Sequence, residues 1–126
     1  MGYNKSLFAK AGVSEPQSLE DLLAACAVLK KSGVTPISFG NKEGWPAVHY
    51  AGQLLAYNVS EATLEKDFVP ATADFSDPGY VTSLNQFKQL VDECSDGAGT
   101  NGSSYASALQ QFSNGKSAMY YQEIIE

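Results

Sequence analysis

Only two stretches of this chain read as β-strand, and that scarcity sets what it can fold into. Val34 to Phe39 is short, partly β-branched and bounded by Gly33 and Gly40; Ser117 to Tyr121 is the second. Pro36 cannot donate to a strand ladder, so it marks the beginning of its strand or an edge. The rest is largely helical text. Asn4 caps a short helix over Lys5 to Ala11, which turns Leu7, Phe8 and Ala11 to one side and stops at Gly12. Ser18-Leu19-Glu20-Asp21 opens a helix with a capping side chain and acids at the positive end of its dipole. Leu22, Leu23, Cys26 and Leu29 follow at helical spacing, and Lys30, Lys31 and Gly33 close it.

A third helix runs from Pro46 to about Asn58, with Val48, Ala51, Leu54 and Leu55 expected to face the core. From Val59 to Ser76 the pattern weakens to one helical stretch, Ser60 through Lys66. Phe68, Val69 and Phe75 read there as plugs tying a loop to the body. Asp77-Pro78 opens a strong helix that aligns Val81, Leu84, Phe87, Val91 and Cys94. Ser95 to Ser104 reads as a flexible surface loop, after which Ser104 caps a helix carrying Tyr105, Ala108, Leu109 and Phe112. About five helices and two strands make a helix-rich α/β unit. Two strands rarely form an independent core, and strand-like text lies at both ends, at Gly2-Tyr3 and Ala118 to Ile125. The expectation is a single domain over residues 1–126, cut from a larger parent with further strands.

Charge and hydropathy narrow the function classes. A net charge of -6 with scattered basic residues argues against nucleic acid or anionic lipid as a partner. No run approaches the ~20 apolar residues a membrane span needs. Met1-Gly2 begins no signal peptide, which fits an excised piece as well as a complete protein. Cys26 and Cys94 match neither a CxxC motif nor a metal framework. Each falls on the apolar side of a helix, where a small buried thiol is the commoner case; pairing depends on their separation. No cofactor motif occurs. No HExxH or GxSxG is present and His49 has no partner in a recognisable catalytic motif, so the chain reads as a non-enzyme.

The functional text lies at Gly40 to Tyr50, which holds the only Trp and the only His. Pro46 disfavours α conformation before it, so Trp45 is expected to be extended beside a helix N-terminus whose first N–H groups lack internal partners. A flat apolar face next to free donors suits a sugar ring with its polar rim of hydroxyls. Asn41, Lys42, Glu43 and His49 are the candidates for hydrogen bonding to it. The alternative is that Trp45 is a core anchor closing the strand-to-helix turn.

The order of motifs resembles the family 1 extracellular solute-binding proteins of bacterial ABC importers. Tyr3-Asn4-Lys5 through Phe8-Ala9-Lys10-Ala11-Gly12 is similar to the family's YNK-x-LF-x-KAG, and Ser18 to Lys31 with Gly33-Val34-Thr35-Pro36-Ile37 to its helix and strand. Gly44-Trp45-Pro46, Phe75-Ser76-Asp77-Pro78 and Phe112-x-x-Gly115-Lys116-x-Ala118-Met119-Tyr120 follow in the family's order. The resemblance implies a two-lobed parent of the periplasmic-binding-protein-like II type, extracellular or periplasmic and anchored as a lipoprotein. That parent would close on a mono- or oligosaccharide and deliver it to a membrane permease. This chain would be most of the helix-rich second lobe, with Trp45 as a stacking platform. Where the family commonly has a Gly-Ser-Trp-like turn, the text here is Glu123-Ile124-Ile125-Glu126, so Tyr120 or Tyr121 would have to supply a second ring, and Tyr121 is carried as the candidate. The alternative class is a protein–protein module that self-associates through open sheet edges without a ligand of its own.

Overall fold

The computed structural model describes residues 1–121. The strand-like text past Tyr121 and the departure at 123–126 lie outside the described residues. In chain order the elements are β1 (Gly2–Tyr3), α1 (Lys5–Ala11), α2 (Leu19–Lys31), β2 (Thr35–Ser38), α3 (Trp45–Asn58), α4 (Glu61–Asp67), α5 (Pro78–Cys94), α6 (Tyr105–Ser113) and β3 (Ser117–Tyr120). A 3-10 turn over Gly97–Gly102 precedes α6. The expected helix-rich α/β unit is present, with one more strand and more helical segments than the text announced.

The sheet order is β1-β3-β2. β3 pairs parallel with β2, placing Thr35 opposite Ser117 and Ile37 opposite Met119, and antiparallel with β1, placing Tyr3 opposite Met119. Because β3 is central, all four of its residues are buried. β2 lies at an edge among the described strands, which is where Pro36 is tolerated. Buried hydroxyls in the sheet are met locally: Ser117 Oγ donates to Ser38 Oγ at 2.9 Å, and Ser38 Oγ to the Met119 carbonyl at 3.4 Å.

One core gathers Phe8, Cys26, Leu29, Ile37, Tyr50, Leu90, Cys94 and Met119 between the sheet and helices α2, α3 and α5. Asn4 caps α1, its Oδ1 accepting the Ser6 and Leu7 N–H groups, and Ser18 caps α2 through the Asp21 N–H, as their sequences predict. Cys26 and Cys94 are not thiols. Their Cα atoms lie 5.2 Å apart and the sulfurs are bonded, tying the middle of α2 to the last turn of α5.

Two helix faces differ from the expectation. Val48 is exposed on α3, because the buried line runs through Pro46 and Tyr50, and position 48 lies about 200° from each. Val81 and Leu84 are exposed on α5, where Gly79, Ser83, Leu90 and Cys94 are buried instead. Small residues win that face because the end of α3 comes close: Asn58 Nδ2 donates to Ser83 Oγ, Gln86 Oε1 and the Leu54 carbonyl.

The loop between α4 and α5 is also tied differently from the expectation. Phe68, Val69 and Phe75 are exposed rather than plugged into the body. The tie is polar. Buried Asp67 accepts the Tyr80 hydroxyl at 2.8 Å and the Asp74 N–H at 3.1 Å. Asp74 in turn accepts from Ser76 N–H, Ser76 Oγ and Lys66 Nζ, which holds Phe75 at a left-handed φ of 50°. Burial pushes the Asp67 carboxyl up, but the bonds from Tyr80, the Asp74 N–H and Lys66 outweigh it and leave it below its usual value. The Ser76 N–H, then Lys66, hold Asp74 at about 2.

Two outcomes follow from this architecture. The disulfide spans 68 residues; in the chain-entropy account a loop of that length is worth about 4 kcal/mol. Replacing both cysteines with Ala should lower the unfolding free energy by most of that, read by urea denaturation. Asp74 has a depressed folded-state value, so its contribution is full above the unfolded carboxylate pKa of 3.8 and fades as pH falls toward about 2. The melting-temperature gap between wild type and Asp74→Asn should therefore be open at pH 6 and close across that acid window.

Candidate functional site

β2 delivers the chain into the loop that carries Trp45, and main-chain bonds fix that loop against the segment before α6. The Asn41 N–H donates to the Thr100 carbonyl at 2.9 Å and the Lys42 N–H to the Ser103 carbonyl at 3.0 Å. At Gly40 a Cβ would stand 2.2 Å from the Ser104 carbonyl oxygen, so the two backbones meet at a distance that only glycine permits. The Ser95 to Ser104 stretch is thereby an ordered part of the wall rather than a flexible loop, and Thr100 is buried within it.

Two side chains complete the join. Asn41 Nδ2 donates to Asn101 Oδ1 at 2.9 Å, while its Oδ1 accepts the Ala47 N–H from the first turn of α3. Glu43 Oε2 accepts the Tyr105 N–H at 3.0 Å and so caps α6. Gly44, at a φ of 80°, makes the turn, which lets α3 begin at Trp45 itself. Trp45 is helical rather than extended for that reason. Pro46 has no N–H and the Ala47 N–H is bonded to Asn41, so this helix end presents fewer donors than its sequence promises.

The result is an aromatic cleft. Trp45, a residue 41% exposed, packs its ring tilted on Tyr105 with centroids 4.6 Å apart. His49, one turn along α3, meets it edge-on at 5.3 Å. Behind them Tyr105 contacts Tyr120 at 5.9 Å, and Tyr120 stacks on Phe112. On the other side Tyr121 packs on Tyr50 at 4.5 Å, and Tyr50 on Phe39 at 4.6 Å. Trp45, His49, Tyr50, Tyr105, Tyr120 and Tyr121 all border one cavity of about 20 Å³. Burial pushes the Tyr120 hydroxyl up to about 12, and pushes Tyr50 up as well. Among the described residues no cluster of three His, Cys, Asp or Glu is placed to hold a metal.

The six residues nominated from the sequence thus fall in one neighbourhood with different employment. Trp45, His49 and Tyr121 border the cavity. Asn41 and Glu43 are engaged in holding the wall together. Lys42 is exposed beside them. Sequence reasoning passed over Tyr50 and Tyr105. Both sit on helices where an aromatic reads as core, and only the proximity of loop 40–44 to the α6 N-terminus brings Tyr105 under the indole.

A larger groove of about 670 Å³ is lined by Tyr3, Leu19, Leu22, Leu54, Tyr57 and Leu90, among others. Tyr50 and Tyr121 border both hollows.

Known proteins place this arrangement. The chain is 29% identical over 92 residues to an uncharacterized ABC transporter extracellular-binding protein of Pyrococcus horikoshii, covering 71% of this chain and 21% of that one. A structure reported with xylan utilization by the thermophilic bacterium Caldanaerobius polysaccharolyticus superposes with a TM-score of 0.85 at 26% identity, over 95% of this chain and 30% of the other. A chitin oligosaccharide binding protein superposes with a TM-score of 0.82 at 27% identity, over the same shares. The bacterial solute receptor AcbH, described as having an exclusive preference for β-D-galactopyranose, gives 0.79 at 28%, again over 95% and 30%. The chain therefore spans about a third or less of the length of the relatives it matches. The family model for bacterial extracellular solute-binding proteins matches residues 1–123, and the chain belongs to that family.

Proposed function

We propose that this chain forms one carbohydrate-binding wall of an ABC importer's solute-binding protein, with Trp45 as the stacking platform. The observation that carries the reading is the exposed face of Trp45, held by Tyr105 and edged by His49. Trp45 is 41% exposed in this chain, which favours a platform over a core anchor. Three of the structural neighbours are described in connection with a sugar, a chitin oligosaccharide or xylan. Covering one face of an indole with a sugar buries roughly 80–100 Å², worth ~2 kcal/mol at ~25 cal/mol/Å². A neutral hydrogen bond nets ~1 kcal/mol, so stacking leads and hydrogen bonds select.

On this reading His49 and Tyr121, which border the same cavity as Trp45, and the exposed Lys42 beside it would supply the ligand contacts, while Asn41 and Glu43 fix the platform. The parent would bind sugar outside the cytoplasm, with a lipoprotein anchor, and pass it to a membrane permease without chemistry. The disulfide supports that compartment, since such bonds persist where the environment is oxidising. Among the described residues no helix is long and apolar enough to cross a membrane.

A second reading is favoured by the 670 Å³ groove and by exposed Tyr57, which lines it: the isolated chain would self-associate through this surface. Sheet edges suit that role poorly, because β1 has two residues and β2 carries Pro36.

Calorimetry on the full-length protein, with D-galactose, xylobiose and N,N′-diacetylchitobiose as probes, tests the first reading. Trp45→Ala should weaken whichever sugar binds by tenfold or more, and unchanged affinity would refute the platform. For the second, light scattering of the isolated chain should give concentration-dependent dimers insensitive to sugar; a monomer at every concentration rejects it.

A further inference from the structure

The helix that starts at Trp45 avoids charge on both of its sides. α3 runs 14 residues without an Asp, Glu, Lys or Arg. Pro46 and Tyr50 are buried on its inner side. Its outer side is two adjacent rows at i±4 spacing, all exposed: Trp45, His49, Gln53 and Tyr57, beside Val48, Gly52 and Ala56. The other long helices meet solvent with charges, Glu20, Asp21, Lys30 and Lys31 on α2 and Lys88, Asp92 and Glu93 on α5. A helix that is mostly apolar on both sides is ordinarily an interior helix.

Gly52 sharpens the contrast. Glycine weakens a helix interior, so it is kept there where a neighbouring backbone needs the room. Gly79 on α5 has such a neighbour, since a Cβ there would stand 2.2 Å from the Asn58 carbonyl oxygen. At Gly52 a Cβ would meet nothing within 4 Å. The room is present, and among the described residues nothing uses it.

On its other flank α3 borders the 670 Å³ groove through Gln53 and Tyr57. Phe8, Leu90 and Met119, all members of the core, line the same groove. Protein interiors are close-packed, so a hollow of that size reaching the core calls for a filling. Its one charged lining side chain is Glu15, which accepts the Tyr3 hydroxyl at 3.3 Å.

We propose that α3 is an interior helix of the parent protein, covered along Val48, Gly52 and Ala56 and across the groove by a segment of the same polypeptide that lies outside this chain. The solved relatives hold this fold within one chain, of which it covers 30%, so the larger part of such a polypeptide is there to supply the cover. A tethered segment meets α3 at an effective concentration on the order of millimolar, which a free second copy does not match. The contact side of that segment is apolar and uncharged, because α3 offers no counter-charge and an unpaired charge buried against it is costly. Trp45, at the cleft end of its row, lies outside the covered stretch.

The test compares this chain, at a dilution where light scattering finds it monomeric, with the full-length protein, both free of sugar. Hydroxyl-radical footprinting read by mass spectrometry should oxidise Tyr57, 79% exposed, in the isolated chain and spare it in the full-length protein. Gly52→Leu should raise the melting temperature of the isolated chain by about 3 °C, since leucine is the better helix former and has open space. The same change should lower that of the full-length protein by roughly 3 °C or more through overpacking. Equal oxidation of Tyr57 in both proteins overturns the proposal. So does a Gly52→Leu shift of the same sign in both. Protection in the full-length protein that disappears on dilution assigns the surface to a second copy and overturns it as well. Should full-length Gly52→Leu fail to fold, the wild-type footprint decides alone.

Discussion

The structure depends on β3 being threaded between β1 and β2. Its four residues are wholly enclosed, and the pairing aligns segments about eighty positions apart in the chain: Thr35 with Ser117, Ile37 with Met119. Successive strand residues point to opposite faces. Met119 borders the large groove and Tyr120 borders the aromatic cavity, so one strand supplies a wall to both hollows. A shift of one residue in register would exchange those side chains and abolish the cavity. The Ser117–Ser38 hydrogen bond helps specify the observed register, because a slip would leave two buried hydroxyls unmet.

With β3 in place, the site is organised by polar groups rather than by apolar packing. Loop 40–44 and the segment before α6 are joined by two main-chain bonds, the Asn41–Asn101 pair and the Glu43 cap on α6. The α4–α5 loop follows the same logic, with Asp67 and Asp74 doing what three exposed apolar residues do not. Such joins suit a surface that must remain open. A loop held by burying its own aromatics would have none left to show, whereas here Trp45 is fixed at its backbone and still offers its ring.

Much of the fold was legible because it is local. The caps at Asn4, Ser18, Ser60 and Ser104 each lie within a few residues of the N–H groups they satisfy, and text records that spacing directly. The exposed Val48, Val81 and Leu84 were misplaced because hydrophobicity ranks a residue without saying which neighbour will approach. The approach of α3 to Gly79 and Ser83 on α5 is a tertiary fact. The disulfide was illegible for the same reason, since it is defined by a partner far along the chain; Gly2-Tyr3 read as strand-like, but its pairing with β3 was not in the text. At the site, the single Trp in a Gly-Trp-Pro turn was conspicuous in text, while Tyr105 resembled any aromatic on an amphipathic helix.

The engagement of Asn41 and Glu43 changes where selectivity can reside. Sequence placed the polar readers on the loop, beside the platform. The structure uses two of them internally, and Pro46 together with the bonded Ala47 N–H removes donors from the helix end. Affinity from an aromatic face is nearly indifferent to which sugar it covers, because the ring's C–H faces are alike across hexoses and pentoses. Discrimination therefore falls to groups that are buried, polar and oriented by rigid elements. On this wall Asn41 and Glu43 spend their bonds on the loop, on α3 and on α6, so what they contribute is the fixed position of the Trp45 ring.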